Sequence, residues 1–207
     1  MEKVSLSNME AFKIIDHTTG EIFHGCSQDW FGTYWQRLSG CGPSVVTNIL
    51  MYRDSTRDLS VSDKKAIESL MEEVWKFVTP TARGIPTVEM LLERVMSYGE
   101  MRGMKTLYRN CDVPREKSLR PSIEAVISFI GDSLERDVPV AFLNLCNGDE
   151  RTLDDWHWVT VVEMEHRASD GHAVANILDR GRIMPVDLSL WLETTTNGGG
   201  FLYFTFT

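Results

Sequence analysis

The sequence predicts an α+β domain, with helices first and an antiparallel sheet afterwards. Three observations carry that expectation. Apolar residues recur at helical spacing in four stretches between Pro43 and Leu134. After Pro139 the character changes to short runs of β-branched and aromatic residues separated by turn residues. The chain has 207 residues, 43% of them hydrophobic, which suits a single domain over 1–207 with one sizeable core and no internal repeat.

The elements follow in order. Ala11 to Ile15 and Glu21 to His24 read as short strands separated by Thr18-Thr19-Gly20. A central helix is expected from about Pro43 to Tyr52, because Val45, Val46, Ile49 and Leu50 share a face and proline suits a first helical position. A second helix fits Ser62 to Val78, with Ile67, Leu70, Met71, Val74 and Phe77 on one stripe. Thr87 caps a third, whose core face is Val88, Leu91, Leu92, Val95 and Met96 and which frays at Tyr98-Gly99. A strand at Thr106 to Cys111 precedes a fourth helix capped by Ser122, with Val126, Phe129, Ile130 and Leu134 inward. Strands are then expected at Val140 to Cys146, Asp155 to Val162, Ala173 to Leu178, Ile183 to Val186 and Phe201 to Phe206, with a helical turn near Leu190-Trp191-Leu192.

Composition excludes several functions. A net charge of −9 argues against nucleic acid, whose phosphates demand a basic footprint, and against an anionic membrane surface. No apolar run reaches the length of a membrane span, and Met1 to Asn8 lacks the form of a secretory signal. Four scattered cysteines with no Cys-x-x-Cys give neither a disulfide scaffold nor a structural zinc site, so a reducing cytoplasm is expected, with no metal or other cofactor. Cys26, Cys111 and Cys146 are then expected to be small buried hydrophobes, and His17, His166 and His172 solvated residues of polar turns.

Cys41, in Gly40-Cys41-Gly42-Pro43-Ser44, is different. It falls where a helix begins, and the free N–H groups and dipole of a helix N-terminus favour a thiolate. The flanking glycines would leave room for a substrate backbone. The base candidate is His157, whose strand would give the imidazole a fixed direction. Asp179 closes the next strand, in Asp179-Arg180-Gly181, and could orient that imidazole, although the same tripeptide is also an ordinary turn. His24, near Cys26, is a rival base, but those two lie too close in sequence to bracket a cleft.

A helix-borne Cys-Gly-Pro, a strand-borne His-Trp-Val and a strand-end Asp-Arg-Gly, in that order, resemble the papain-like cysteine peptidase superfamily. The branch most similar is that of the bacterial bacteriocin-processing peptidases, which cut leaders after double glycine. The likeness runs from about Gln28 to Asp179. It implies a helical lobe carrying Cys41, facing a sheet lobe with His157 and Asp179, and hydrolysis of a peptide or amide bond. It also implies a glutamine that helps bind the oxyanion. Gln28 follows a strand, as in the bacteriocin-processing branch and is preferred; Gln36 lies at the usual papain-type offset. An acyl transferase of transglutaminase type and a catalytically silent peptide-binding module are the alternatives. Trp156 and Trp158 are expected to pack in the core, while Trp30, Phe31, Tyr34 and Trp35 form a cluster that lines the site or plugs a lobe interface.

Overall fold

The computed structural model describes residues 2–55, 63–167 and 171–207. Strand β1 (Glu2–Ser5), which no sequence pattern announced, opens the chain and pairs with a strand near its far end. Next come β2 (Lys13–Ile15) and β3 (Ile22–His24), a separate hairpin. The expected strand from Ala11 is shorter because Met9–Phe12 forms a 3-10 turn that buries Phe12.

Helix α1 (Tyr34–Ser39) was not anticipated, although Thr33 and Gln36 form a capping box across its start. Helix α2 (Cys41–Ser55) follows after Gly40 alone. It starts two residues earlier than expected, so Pro43 is its third residue; the N–H that proline lacks is unpartnered there too. Helix α3 (Lys64–Trp75) is capped by Asp63; the expected start at Ser62 lies outside the described residues. Thr87 caps α4 (Val88–Met101), which continues past Tyr98-Gly99 instead of fraying there. Strand β4 (Thr106–Val113) leads to α5 (Ile123–Glu135), capped by Ser122.

The remaining elements are β5 (Val140–Asn144), β6 (His157–Arg167), β7 (His172–Asp179), β8 (Arg182–Asp187), α6 (Leu188–Thr194) and β9 (Gly199–Phe206). They form an antiparallel sheet in the order β4-β9-β5-β6-β7-β8. Pro185 is tolerated because β8 is an edge strand. Strand β6 is longer than expected because it has two partners along one edge. Residues 157–161 pair with β5 and residues 163–166 with β1.

Both faces of the sheet are covered, and side-chain alternation decides which residue serves which face. On β5, Ala141 and Leu143 join Val46, Ile49, Leu91 and Val95 of α2 and α4 in one cluster, with Trp158 and Phe204. Val140 and Phe142 join Ile130, Leu134 and Trp191 of α5 and α6 in the other. Each such side chain contributes about 1.5–3 kcal/mol on full burial. A third cluster of Ile14, Cys26, Phe31, Met51, Ile67 and Met71 fixes the β2–β3 hairpin onto α2 and α3. The two helices that frame the thiol and the strands that bear the imidazole and carboxylate are thereby packed against one another.

Candidate active site

Cys41 is the first residue of α2, and the carbonyl of Gly40 accepts the first bond of its opening turn from the Ser44 N–H at 3.0 Å. The helix is buried from Gly42 to Tyr52, whereas Cys41 at its head is partly exposed. The glycines beside it admit close packing. A Cβ on Gly40 would lie 2.6 Å from Cε2 of Phe31, and one on Gly42 would lie 2.8 Å from Cδ1 of Ile85. Their missing side chains let those two residues close on the start of the helix.

His157 opens β6 and is 6% exposed. Its Nε2 is 2.8 Å from Oδ1 of Asp179, the last residue of the neighbouring β7. Burial alone would push the imidazole pKa down. Hydrogen bonds to Asp179 and Cys41, with the negative charge on both, outweigh it and raise the pKa to about 10. Nε2 is taken by Asp179, which leaves Nδ1 as the ring nitrogen available to the thiol. The imidazole keeps its proton at neutral pH.

Backbone geometry keeps the pair in place. Arg180 (φ 47) and Gly181 (φ 74) both lie in the left-handed region, the signature of a two-residue hairpin turn that suits the sheet twist. Asp179 and Arg182 face each other across it. The tripeptide is thus a turn, and Asp179 turns its carboxylate to His157 rather than capping locally. Trp156 (φ 56), just before His157, is also left-handed, which costs a bulky residue about 1–3 kcal/mol. It is 59% exposed, contrary to the core role expected for it. Trp158 does pack inside, and its Nε1 donates to the Ile85 carbonyl at 2.7 Å.

The two glutamines differ in their engagements. Nε2 of Gln28 donates to the Arg37 carbonyl at 2.8 Å, one helical turn ahead of Cys41 in sequence, while its buried Oε1 has no hydrogen-bond partner among the described residues. Gln36 is occupied at both ends. Its Oε1 accepts from Thr33 at 3.0 Å, and its Nε2 donates to Glu72 of α3 at 2.8 Å. The expected aromatic cluster divides. Phe31 stacks edge-on with Trp75 and Trp30 with Phe23, whereas Tyr34 and Trp35 are exposed on α1.

Sequence reasoning missed Asn48. Buried in α2, it accepts from the Cys26 N–H at 2.8 Å and donates to Oγ1 of Thr160 at 3.0 Å. It links the thiol-bearing helix to the strand of His157 and to the segment leading into Gln28. A lone asparagine among the apolar residues of a helix was its signal, since buried amides are kept for their partners.

Other cysteines and histidines divide as well. Cys26 is buried as expected, and burial pushes its thiol far up. Cys111 is half-buried and raised, by burial and then by Asp112. Cys146 departs from expectation. It is partly exposed, and hydrogen bonds from Thr196, first its hydroxyl at 3.1 Å, hold the thiol below its ordinary range. His166 and His172 are strand residues beside Glu2 and Asp187, not solvated turn residues. His17 is an exposed turn residue, and His24 pairs with Lys13 in the small hairpin. Asp154, His157 and Asp179 bring potential ligand atoms within 4.8 Å of one another, but Asp179 already holds His157 and Asp154 pairs with Arg180.

No protein-family model matches the chain, and no curated protein matches it significantly. Among solved structures it is similar to UfSP from C. elegans, a cysteine protease of papain-like fold, at a TM-score of 0.52 and 10% identity. The match covers 100% of this chain and 34% of UfSP, so the chain spans about a third of that protein's length. The fold is that of the papain-like cysteine peptidases, a mixed helical and antiparallel architecture.

Proposed function

We propose that the chain is a thiol-dependent hydrolase that cleaves a peptide or amide bond using Cys41, His157 and Asp179. The observation that carries the reading is the buried imidazole bonded to the Asp179 carboxylate, with its pKa raised further by Cys41 at a helix head. In this mechanism the Cys41 sulfur attacks the carbonyl carbon, and His157 gives its proton to the leaving nitrogen as the C–N bond breaks. Water then attacks the thioester, His157 takes its proton, and the acid departs as the sulfur is released. Asp179 keeps the ring oriented throughout. The Cys41 N–H and the second N–H of the Gln28 amide hold the oxyanion. Gln28 is favoured over Gln36 because Gln36 is committed to Thr33 and Glu72.

Within the superfamily we assign the chain to the bacteriocin-processing branch, on the three motifs that resemble it. The free thiols suit a reducing, cytoplasmic setting. Among the described residues no helix is long and apolar enough to cross a membrane. A peptide is the partner proposed; the charge of −9 disfavours nucleic acid. A peptidyl electrophile that requires attack by an activated thiol tests the reading. Labelling should map to Cys41, vanish in Cys41→Ser and fall in His157→Gln. Labelling centred on Cys146 instead would overturn it.

A further inference from the structure

Beside Asp179 lies a cavity of about 510 Å³. Its charged lining is Asp29, Arg151, Asp154, Asp179, Arg180 and Arg182. The count of three carboxylates and three guanidiniums conceals an imbalance. Asp179 is matched by His157, and Asp154 by Arg180. Asp29 takes a hydrogen bond from the Ser27 hydroxyl at 3.3 Å but has no cation within ion-pair distance among the described residues. Arg151 and Arg182 have neither an ion-pair nor a hydrogen-bond partner among them. One carboxylate thus faces two uncommitted guanidiniums, in a chain whose net charge is −9.

The cavity's position says which part of a substrate reaches it. Asp29 directly follows Gln28, and Asp179 holds the ring that must protonate the leaving nitrogen. A leaving segment that passes over His157 toward Asp179 would enter this cavity. Guanidinium forks bind carboxylates in bidentate geometry.

Resting on the catalytic reading above for its direction, we infer that this cavity is the subsite for the leaving segment. It takes a carboxylate-bearing residue on the C-terminal side of the scissile bond. Arg151 and Arg182 are specificity residues for an acidic leaving peptide.

The test is a binding measurement, so it does not require turnover. Titration calorimetry would compare Ala-Asp-Glu-amide with Ala-Asn-Gln-amide on the full chain carrying Cys41→Ser. The acidic peptide should bind about tenfold more tightly, and the difference should shrink as salt is raised. Arg151→Gln with Arg182→Gln should abolish the preference with an unchanged thermal midpoint, since neither side chain supports another. Equal or undetectable binding of the two peptides, or a preference surviving in the double variant, would overturn the inference. The catalytic reading is judged separately by Cys41 labelling. A preference without labelling leaves an acidic-peptide site but removes the hydrolase and with it the leaving-segment role; labelling without a preference removes the subsite and leaves the hydrolase.

Discussion

Four thiols in one chain place the sharpest demands on the residue scale, because three of them are partly exposed. Cys26 is sealed beside Met51, and burial raises Cys111. Cys146 is partly exposed with its thiol held low by Thr196, so a simple alkylating reagent should find it as readily as Cys41. Among the four thiols of the described residues, Cys41 is the one that raises the pKa of an imidazole. Cys41→Ser should therefore abolish turnover and labelling by a peptidyl electrophile, while general alkylation drops by one site rather than to zero. Stability should fall only modestly, because Cys41 packs at the edge of the core and shares the His157 proton's stabilisation with Asp179. Mass mapping after both reagents checks this, and equal peptidyl labelling in Cys41→Ser would refute it. The placement of Cys41, His157 and Asp179 on their elements was legible in sequence because each sits in a short motif whose local structure is nearly forced. A glycine–proline context starts a helix, an aromatic run makes a strand, and Asp-Arg-Gly makes a primed turn. Asn48 was not legible as a link, because its two partners lie 22 and 112 residues away.

At the scale of elements, the two glutamines and Asn48 separate structural from catalytic roles. Gln28 lies in the 3-10 turn Gln28–Trp30 and reaches only the Arg37 carbonyl. Losing one oxyanion donor costs about 10²- to 10³-fold in turnover, and Gln28→Ala should fall in that range with little change in the urea midpoint. Gln36→Ala should do the opposite. It removes half of the α1 capping box and the bond to Glu72, about 1–2 kcal/mol of stability, while turnover of the folded fraction stays within a few-fold. The reverse ranking of turnover would move the oxyanion role to Gln36. Asn48→Ala leaves the Cys26 N–H and the Thr160 hydroxyl buried without partners, at about 1–3 kcal/mol each, so a loss of about 2–4 kcal/mol is expected in urea titration. A loss below about 1 kcal/mol would mean that α2 and β6 are held by apolar packing alone. Helices with a long apolar stripe were readable in advance, notably α4 and α5 with their Thr87 and Ser122 caps. Helix α1 and strand β1 were not. Helix α1 is six residues with an exposed Tyr34-Trp35 face, and β1 gains its pairing only from residues 163–166, at the other end of the chain.

On the scale of the whole molecule, the buried imidazole couples folding to pH. Sheet and helices must assemble before His157 meets both Asp179 and Cys41, so the raised pKa exists only in the folded state. In the unfolded chain the imidazole titrates near about 6.5. In the folded protein it titrates at about 10. Below about 6.5 both states carry the proton, and the stabilisation from the pair is fully present. Between about 6.5 and 10 the folded state binds the proton more tightly than the unfolded one, so stability must fall as pH rises through that window. Above about 10 the contribution is gone. Other titrating groups act in the same range, but they cancel when wild type and His157→Gln are compared at each pH. The expected result is a stability advantage for the wild type at pH 6 that shrinks steadily towards pH 10, read from urea unfolding of both proteins. In Cys41→Ser the advantage should be smaller at every pH, because one of the two negative partners is gone. An advantage independent of pH would mean that the imidazole titrates alike in the folded and unfolded chain, and the thiol, ring and carboxylate would then not act as one unit.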